Sequence, residues 1–349
     1  MNKTLLSASI ASVIALTSFG ALAEGPSFYG RLDLSVTNTD TGSTLQSGTN
    51  SKKDDNDKII YESGTYIENN FSNLGVKGTE KIADGVDVVY QMEFQVENTS
   101  GKGDVFKARN TFLGLKGSGG TILVGRNDTV FKAAEGGFDA FGNTNADMDR
   151  LLGGQVRSAD GFWYYSPVMA DIFAINATYL MEDNNGNDDA QYAVNVTFGD
   201  KGLKKHNYYV AGAYNKGIGG IDAYRAVGQF KVGDVKIGGL FQNAESTSNS
   251  IQEGNSYLVN IVYNISGVNL KAEYGMDEAG FGNYYKNSGG VASDDINVSN
   301  FTIGADYRIS KSTLVFGHYA MYEGDYKVAG AKTDLADDSV FSVGMRYDF

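Results

Sequence analysis

Apolar and polar residues alternate along most of the chain. The alternation is cleanest in five segments: residues 86–97, 191–198, 268–275, 301–308 and 341–349. Successive side chains of a β-strand point to opposite faces, so this pattern predicts strands with one apolar face and one polar face. The polar faces carry charges that a dry core could not hold without a cost of several kcal/mol each. One side of the predicted sheet is therefore expected to face water.

Sixteen segments of this kind can be placed along the sequence. They are residues 27–37, 64–79, 86–98, 105–117, 121–126, 156–166, 170–181, 191–199, 206–215, 220–232, 235–245, 255–264, 268–276, 298–308, 312–322 and 339–349. Strand-plus-connection repeats of about 20 residues fit the tilted strands of outer-membrane barrels. The last segment ends on Phe349, which suits a closed barrel whose last strand pairs with the first. The fold is predicted to be all-β, a transmembrane antiparallel barrel of about sixteen strands.

The connections differ in length and composition. Short ones lie at 83–85, 117–120, 167–169, 233–234, 265–267 and 310–311, and long polar ones at 38–63, 127–155, 182–190, 246–254, 277–297 and 323–338. Barrels of this class place short turns in the periplasm and long loops outside the cell. The long loops are rich in Asp, Asn, Gly and Ser, which predicts solvated rather than packed loops. A soluble β-sandwich is the alternative that alternation alone leaves open.

The amino terminus has the pattern of a secretory signal. A basic start at Met1–Lys3 precedes a mostly apolar run over 5–20, and Ala21-Leu-Ala23 has the form of a signal-peptidase site. Residues 1–23 are therefore predicted to be cleaved, leaving 24–349 as a single barrel domain. No later stretch is apolar for long enough to predict a membrane-spanning helix.

Composition narrows the functional classes. The chain has no cysteine, which excludes disulfides and thiolate metal sites, and its only histidines are His206 and His318. The net charge of −13 argues against nucleic acid as a partner, because a phosphate binder needs a basic surface. We therefore expect no cofactor, no metal site and no catalytic residue.

Five short motifs, taken with the signal and the strand series, resemble the general diffusion porins of Gram-negative outer membranes. The motifs are Phe28-Tyr-Gly-Arg31, Leu74-Gly-Val-Lys-Gly78, Arg109-Asn-Thr-Phe-Leu-Gly-Leu115, Val124-Gly-Arg126 and Tyr347-Asp-Phe349. The resemblance covers essentially the whole mature chain. It implies a sixteen-stranded barrel, usually trimeric, whose long third loop folds into the lumen and narrows it. That loop should be about 127–155.

In the porins that the chain resembles, basic residues of the wall face acidic residues of the inward loop. The resemblance implies three basic candidates on the wall, Arg31, Arg109 and Arg157. Arg126 is a fourth candidate because it lies at the mouth of the loop. Alternation supports Arg31, since it shares a face with Asp33 and Ser35. Asn73 stands where members of the family often carry arginine, which removes one wall cation.

On the loop, the acidic candidates are Glu135, Asp139, Asp147 and Asp149. The fragment Phe138-Asp-Ala-Phe-Gly142 is similar to the acidic, aromatic and glycine core of the family's third loop, without its proline. With one wall cation missing and a negative net charge, a weak preference for cations is expected.

The predicted function is a water-filled outer-membrane channel for passive diffusion of small hydrophilic solutes and ions. Its expected partners are the lipid bilayer, lipopolysaccharide and two further copies in a homotrimer. A substrate-specific channel and a loop-mediated adhesin or phage receptor remain alternatives. A hydrolase is disfavoured, because no serine or acid motif accompanies His206 or His318.

Overall fold

The computed structural model describes residues 25–46, 49, 62–97, 99, 104–182 and 189–349. The predicted signal, 1–23, lies outside this part of the chain. Within the described ranges, none of the helices has the length and apolar character needed to cross a bilayer. The regular structure is almost entirely β.

Eighteen strands form one antiparallel sheet. They are β1 Ser27–Thr39, β2 Gly64–Asn69, β3 Asn73–Ala83, β4 Val86–Val96, β5 Phe106–Gly117, β6 Gly120–Asp128, β7 Arg157–Tyr165, β8 Phe173–Leu180, β9 Gln191–Gly199, β10 Tyr208–Lys216, β11 Ile221–Val232, β12 Val235–Ser246, β13 Glu253–Ile265, β14 Val268–Asp277, β15 Ile296–Arg308, β16 Thr313–Val328, β17 Ala331–Asp334 and β18 Asp338–Asp348.

The sheet closes on itself. β1 pairs with β18 on one side, Leu34 lying opposite Met345, and with both β2 and β3 on the other. β2 and β3 together form one interrupted strand of the wall, and β17 only pairs with the extension of β16 as a hairpin. The barrel wall therefore has sixteen strands, which confirms the predicted barrel. Closure leaves no open sheet edge in the wall.

Alternation sorts the side chains of the wall as predicted. Large apolar side chains such as Leu113 (57% exposed), Ile237 (53%) and Val259 (55%) cover the outer surface. Polar side chains on the opposite parity, such as Gln242 and Thr302, lie inside the ring and are fully buried there. An apolar exterior with a polar interior is the arrangement of a barrel that crosses a membrane.

The wall strand that was predicted to be continuous over 64–79 is interrupted. Residues between Asn69 and Asn73 leave the ladder, and Phe71 adopts a left-handed backbone conformation (φ 61°). Asn69 Oδ1 accepts a hydrogen bond from Ser72 N at 2.9 Å, which stabilises the break. The interruption turns the Phe71 ring toward Arg109, whose guanidinium carbon is 5.8 Å from the ring centroid.

Two of the loops predicted to be solvated contain regular structure. Segment 323–338 is largely strand, because β16 continues to Val328 and pairs with β17, although residues 328–334 stay exposed. Segment 277–297 contains a short helix, Asn283–Asn287, whose Tyr284 and Tyr285 side chains are buried. The polar composition of these loops hid a few large apolar groups that find partners inside the barrel.

Those partners belong to a hydrophobic cluster in the lumen. We call residues 129–156, between β6 and β7, loop 3, and residues 278–295, between β14 and β15, loop 7. The cluster combines residues of loop 3, loop 7 and the wall, among them Phe138, Met148, Leu151, Tyr284, Tyr285, Leu258 and Tyr322. The wall members of the cluster belong to β10–β13, β15 and β16, so loop 3 and loop 7 pack against that side of the barrel.

Candidate functional site

Loop 3 enters the lumen through a short helix, Val130–Ala133. Thr129 caps it, its Oγ1 accepting a hydrogen bond from Lys132 N at 3.2 Å. The wall holds this end of the loop: Val130 N donates to Thr178 Oγ1 at 3.0 Å. A residue with a side-chain oxygen directly before a helix is the usual N-terminal signal, so this helix start is readable from the sequence.

Beyond this helix, side chains of the barrel wall donate hydrogen bonds to the backbone of loop 3. Four side chains donate in chain order to loop carbonyl oxygens: Tyr209 to Ala134 at 3.0 Å, Gln229 to Gly137 at 2.8 Å, Asn260 to Phe138 at 2.8 Å and Lys271 to Ala140 at 2.6 Å. These strands are β10, β11, β13 and β14, so the loop runs along the wall from one to the next. Backbone carbonyls away from water require such partners.

At the tip of loop 3, the Asn145 side chain makes several hydrogen bonds to the wall, while Gln46 Nε2 donates to Asn143 O at 2.9 Å. Asn145 Nδ2 donates to Glu68 Oε2 at 2.6 Å and to Ser342 Oγ at 2.9 Å, while its Oδ1 accepts from His318 Nε2 at 2.6 Å. Asn145 is 1% exposed, and Glu68 is fully buried. A single amide therefore connects the loop to β2, β16 and β18.

The returning arm of loop 3 is held by Arg225 of β11, which is 2% exposed. Its NH2 donates to Gly153 O at 3.0 Å and to Gln242 Oε1 at 2.6 Å, and its guanidinium stacks on the Phe131 ring at 4.3 Å. Arg225 thus joins the two ends of the loop. Sequence analysis did not single it out, although its inward parity in β11 was available as a signal.

All four acidic candidates of loop 3 line one cavity of about 340 Å³. Asp139 Oδ1 accepts from Phe141 N at 2.9 Å, and Asp147 accepts from Asn143 N at 2.6 Å, so the backbone fixes both carboxylates. Glu135 and Asp149 lie on the same side. The acids form one wall of the opening.

Two of the four basic candidates, Arg109 and Arg157, line the same cavity. Arg109 faces the lumen because a β-bulge sets two residues of β5, Arg109 and Asn110, opposite Glu93. Arg109 Nε donates to Glu93 Oε1 at 2.5 Å, and Arg157 NH2 lies 3.0 Å from Asp128 Oδ1.

Lys132 is a third cation of this cavity that sequence analysis missed. Its Nζ lies 3.2 Å from Asp128 Oδ1, so it shares that carboxylate with Arg157. The position of Lys132, on the helix that opens loop 3, was the signal that could have identified it.

The structure does not bring Arg31 and Arg126 to this cavity. Arg31 faces the lumen but lies near the short-turn rim, where its Nε is 2.7 Å from Asp348 Oδ1. Arg126 is the cross-strand partner of Thr111, two residues from the pair Leu113 and Val124, whose side chains are exposed on the outer surface. Arg126 therefore lies on the outer face of the barrel.

Burial within loop 3 changes the acidity of its carboxyl groups. It raises the pKa of Glu135 to about 7 despite the nearby Lys132. It also raises the pKa of Asp149 to about 7, against the attraction of Arg150, whose NH1 is 2.9 Å from Asp149 Oδ1. Burial, together with the charges of Asp147 and Glu273, holds the pKa of Asp139 well above its ordinary value. The negative charge of the opening therefore changes near neutral pH.

This titration predicts a pH-dependent ion preference. Glu135 and Asp149 are protonated below pH 7 and ionised above it, so the preference for cations should increase from about one unit below pH 7 to about one unit above. Reversal potentials measured in a KCl gradient across this range test it. The double variant Glu135→Gln, Asp149→Asn should show a flat response, and an equally steep response in that variant would contradict the assignment.

Comparison with known proteins agrees with this architecture. A family model described as Gram-negative porin matches residues 8–327. The chain belongs to the Gram-negative porin family. Among its relatives are the major outer membrane proteins P.IB of Neisseria gonorrhoeae and Neisseria lactamica. The first is 22% identical over 99% of this porin and 98% of the relative, and the second 20% identical over 82% and 86%.

Solved structures share the fold. OmpF of Salmonella typhi, in complex with daunomycin, superposes with a TM-score of 0.65 at 15% identity, covering 93% of this porin and 97% of OmpF. A loop L8 deletion mutant of OmpT, an outer membrane protein of Vibrio cholerae, gives 0.63 at 19% identity over 93% and 99%. Family, relatives and barrel identify this porin as a passive channel of the outer membrane. Among its described residues, no group of three His, Cys, Asp or Glu side chains is placed to bind a metal ion.

Proposed function

We propose that loop 3 and the facing wall form the constriction of a water-filled pore that passes small hydrophilic solutes and ions with a weak preference for cations. The observation that supports this is one cavity lined by four carboxylates and Lys132 of loop 3 together with Arg109 and Arg157 of the wall. Selectivity in such channels depends on width and on the charges at the narrowest point.

The balance of charge around the constriction is negative. Each wall cation is already paired, Arg109 with Glu93 and Arg157 with Asp128, and Asp128 also pairs with Lys132 of loop 3. On the loop side, Arg150 is paired with Asp149. The two wall cations are thus balanced by two wall carboxylates. Above about pH 7, where Glu135 and Asp149 are ionised, loop 3 carries these two carboxylates and Asp147 against the two cations Lys132 and Arg150. Cations are therefore favoured.

No chemical step is required for this function. Solutes cross through water instead of shedding their hydration into lipid, and their own gradient drives them. We propose that the protein has no catalytic activity: His318 is bonded to Asn145 between the rings of Phe141 and Phe316, and His206 lies at an exposed turn. Neither arrangement contains an activated nucleophile.

We further propose that residues 1–23 direct export and that the mature chain, 24–349, forms a homotrimer contacting lipid and lipopolysaccharide. A trimer form is among the solved structures of the similar OmpT of Vibrio cholerae. The apolar outer belt supplies a surface that lipid or a neighbouring subunit can cover.

Recording from planar bilayers tests the pore. Purified protein should give stepwise single-channel currents, and Gly142→Trp should lower the conductance at least about twofold, because Gly142 lines the constriction cavity. The matched control is Gly212→Trp, on the outer face of β10, where an added Cβ meets nothing within 4 Å. Absence of current, or equal effects of both substitutions, would contradict the proposal.

A further inference from the structure

Two lysines face each other directly in the lumen on the short-turn side of loop 3. Lys231 of β11 and Lys236 of β12 are cross-strand partners. They share the inward parity of Gln229 and Gly238, both of which contact loop 3. Like charges placed directly opposite each other destabilise a sheet. Within the described residues, neither lysine has an ion-pair partner to offset that cost.

Further cations surround this pair on the same side of loop 3. Lys271, two strands from Lys236, points into the same space and donates to Ala140 O of the loop. Arg308 and Arg346 line a cavity of about 380 Å³ beneath the loop tip, together with Lys271 and three acids, Asp33, Asp139 and Asp306. Cations and acids balance in that cavity, so the excess of positive charge on this wall comes from Lys231 and Lys236.

The opposite wall of this vestibule is also basic. Lys81 and Lys116 lie on either side of Asp87 in neighbouring strands, and Lys81 also pairs with Asp84 of the turn at 2.7 Å. Lys77 lies over the ring of Tyr29, 4.8 Å from its centroid. The lumen between loop 3 and the short-turn rim therefore carries a net positive charge on both walls.

The constriction and the loop rim have the opposite sign. Four carboxylates of loop 3 line the constriction cavity. At the loop rim, six carboxylates and a single lysine, Lys332, line a cavity of about 510 Å³ that lies largely on the outer side of the wall, since Ser299 and Glu323 share the face of Phe301 and Met321. The net charge of −13 is thus not evenly spread. Negative charge collects toward the loop rim, and positive charge collects toward the turns.

We propose that this lumen is bipolar along its axis and that the porin therefore rectifies ionic current. A potential that is positive on the loop side drives cations in through the acidic end and anions in through the basic end. Both carriers then accumulate where the two zones meet, which raises the conductance. The opposite potential withdraws both carriers from that junction and lowers it. This inference rests on the proposed pore and adds a direction to it.

Single-channel recording in one known orientation tests the inference. The chain contains no cysteine, so Ser250→Cys, at an exposed position of the loop rim, reports which compartment holds the loops through an impermeant thiol reagent. In 0.1 M KCl, the current with the loop side positive should exceed the reverse current by at least about 1.3-fold. In 1 M KCl the ratio should approach 1, because the Debye length falls from about 10 Å to about 3 Å.

Charge variants locate the source of the asymmetry. The double variant Lys231→Gln, Lys236→Gln should bring the ratio in 0.1 M KCl toward 1, and Lys116→Gln on the opposite wall should reduce it in part. Lys205→Gln is the control, since Lys205 is an exposed turn residue 3.5 Å from Asp171. An unchanged conductance in 1 M KCl shows that each barrel is intact.

The outcomes separate the two proposals. If the protein passes no current, the proposed pore fails. If it conducts with equal currents at both polarities in 0.1 M KCl, the pore stands and the bipolar lumen is overturned. A rectification that survives unchanged in the Lys231→Gln, Lys236→Gln variant also overturns the assignment.

Discussion

Replacing Asn145 with alanine is expected to convert a steady open channel into one that fluctuates between conductance levels. The substitution removes the amide that bonds Glu68, Ser342 and His318, and it leaves a fully buried carboxylate and a buried imidazole without that partner. Each buried polar group that loses its partner costs about 1–3 kcal/mol. That penalty falls on the docked position of the loop tip and not on the wall ladder, so the loop should move while the barrel persists.

Single-channel recording measures the fluctuations, and thermal unfolding of the purified protein measures the barrel. The matched control is Asn243→Ala, since Asn243 is an asparagine of the outer face that bonds only near its own rim. A steady current from Asn145→Ala at the native level would contradict the role assigned to Asn145. A lowered unfolding temperature with a steady current would show that the amide stabilises the wall instead.

Neutralising the acids of loop 3 is expected to reverse the ion preference. The quadruple variant Glu135→Gln, Asp139→Asn, Asp147→Asn, Asp149→Asn leaves Arg109, Arg157 and Lys132 as the charges that line the constriction. At separations of a few ångströms in water, each unit charge contributes about 0.5–1 kcal/mol. Removing several should change the cation-to-anion permeability ratio on the order of tenfold.

Amide replacements keep the loop structure, because asparagine can still accept the backbone hydrogen bonds that Asp139 and Asp147 receive. The reversal potential in a KCl gradient should change sign. Glu253→Gln, an exposed carboxylate at the start of β13, is the control and should change it little. A quadruple variant that keeps the native reversal potential would show that the constriction lies elsewhere in the lumen.

Much of the barrel is readable from alternation alone. A strand has only two faces, so a polar and an apolar parity define which side meets water and which meets lipid. That rule predicted the sixteen strands of the wall and the inward direction of the Arg31 side chain. It also placed a long connection at 127–155, whereas the folding of that connection into the lumen as loop 3 was implied by the resemblance to porins.

The rule failed where the backbone leaves the regular ladder. The bulge at Arg109 and Asn110 and the break at Phe71 shift the parity, and neither is marked by a glycine or proline at that point. Arg126 was predicted to lie at the constriction because it is close to loop 3 in the sequence. Its pairing with Thr111 places it on the outer face instead. Pairing partners of this kind are long-range facts that a local pattern does not contain.

The packing of loop 7 has a consequence for the evolution of the cell surface. Exposed loops normally accept insertions and substitutions freely. Here Gly282 lies against the backbone of Leu151, where an added Cβ would stand 2.3 Å from Leu151 O, and Phe281 packs on Gly153. Substitutions in loop 7 are therefore restrained by its contact with loop 3. A mutation selected by contacts outside the cell would also displace loop 3 and change the permeability of the pore.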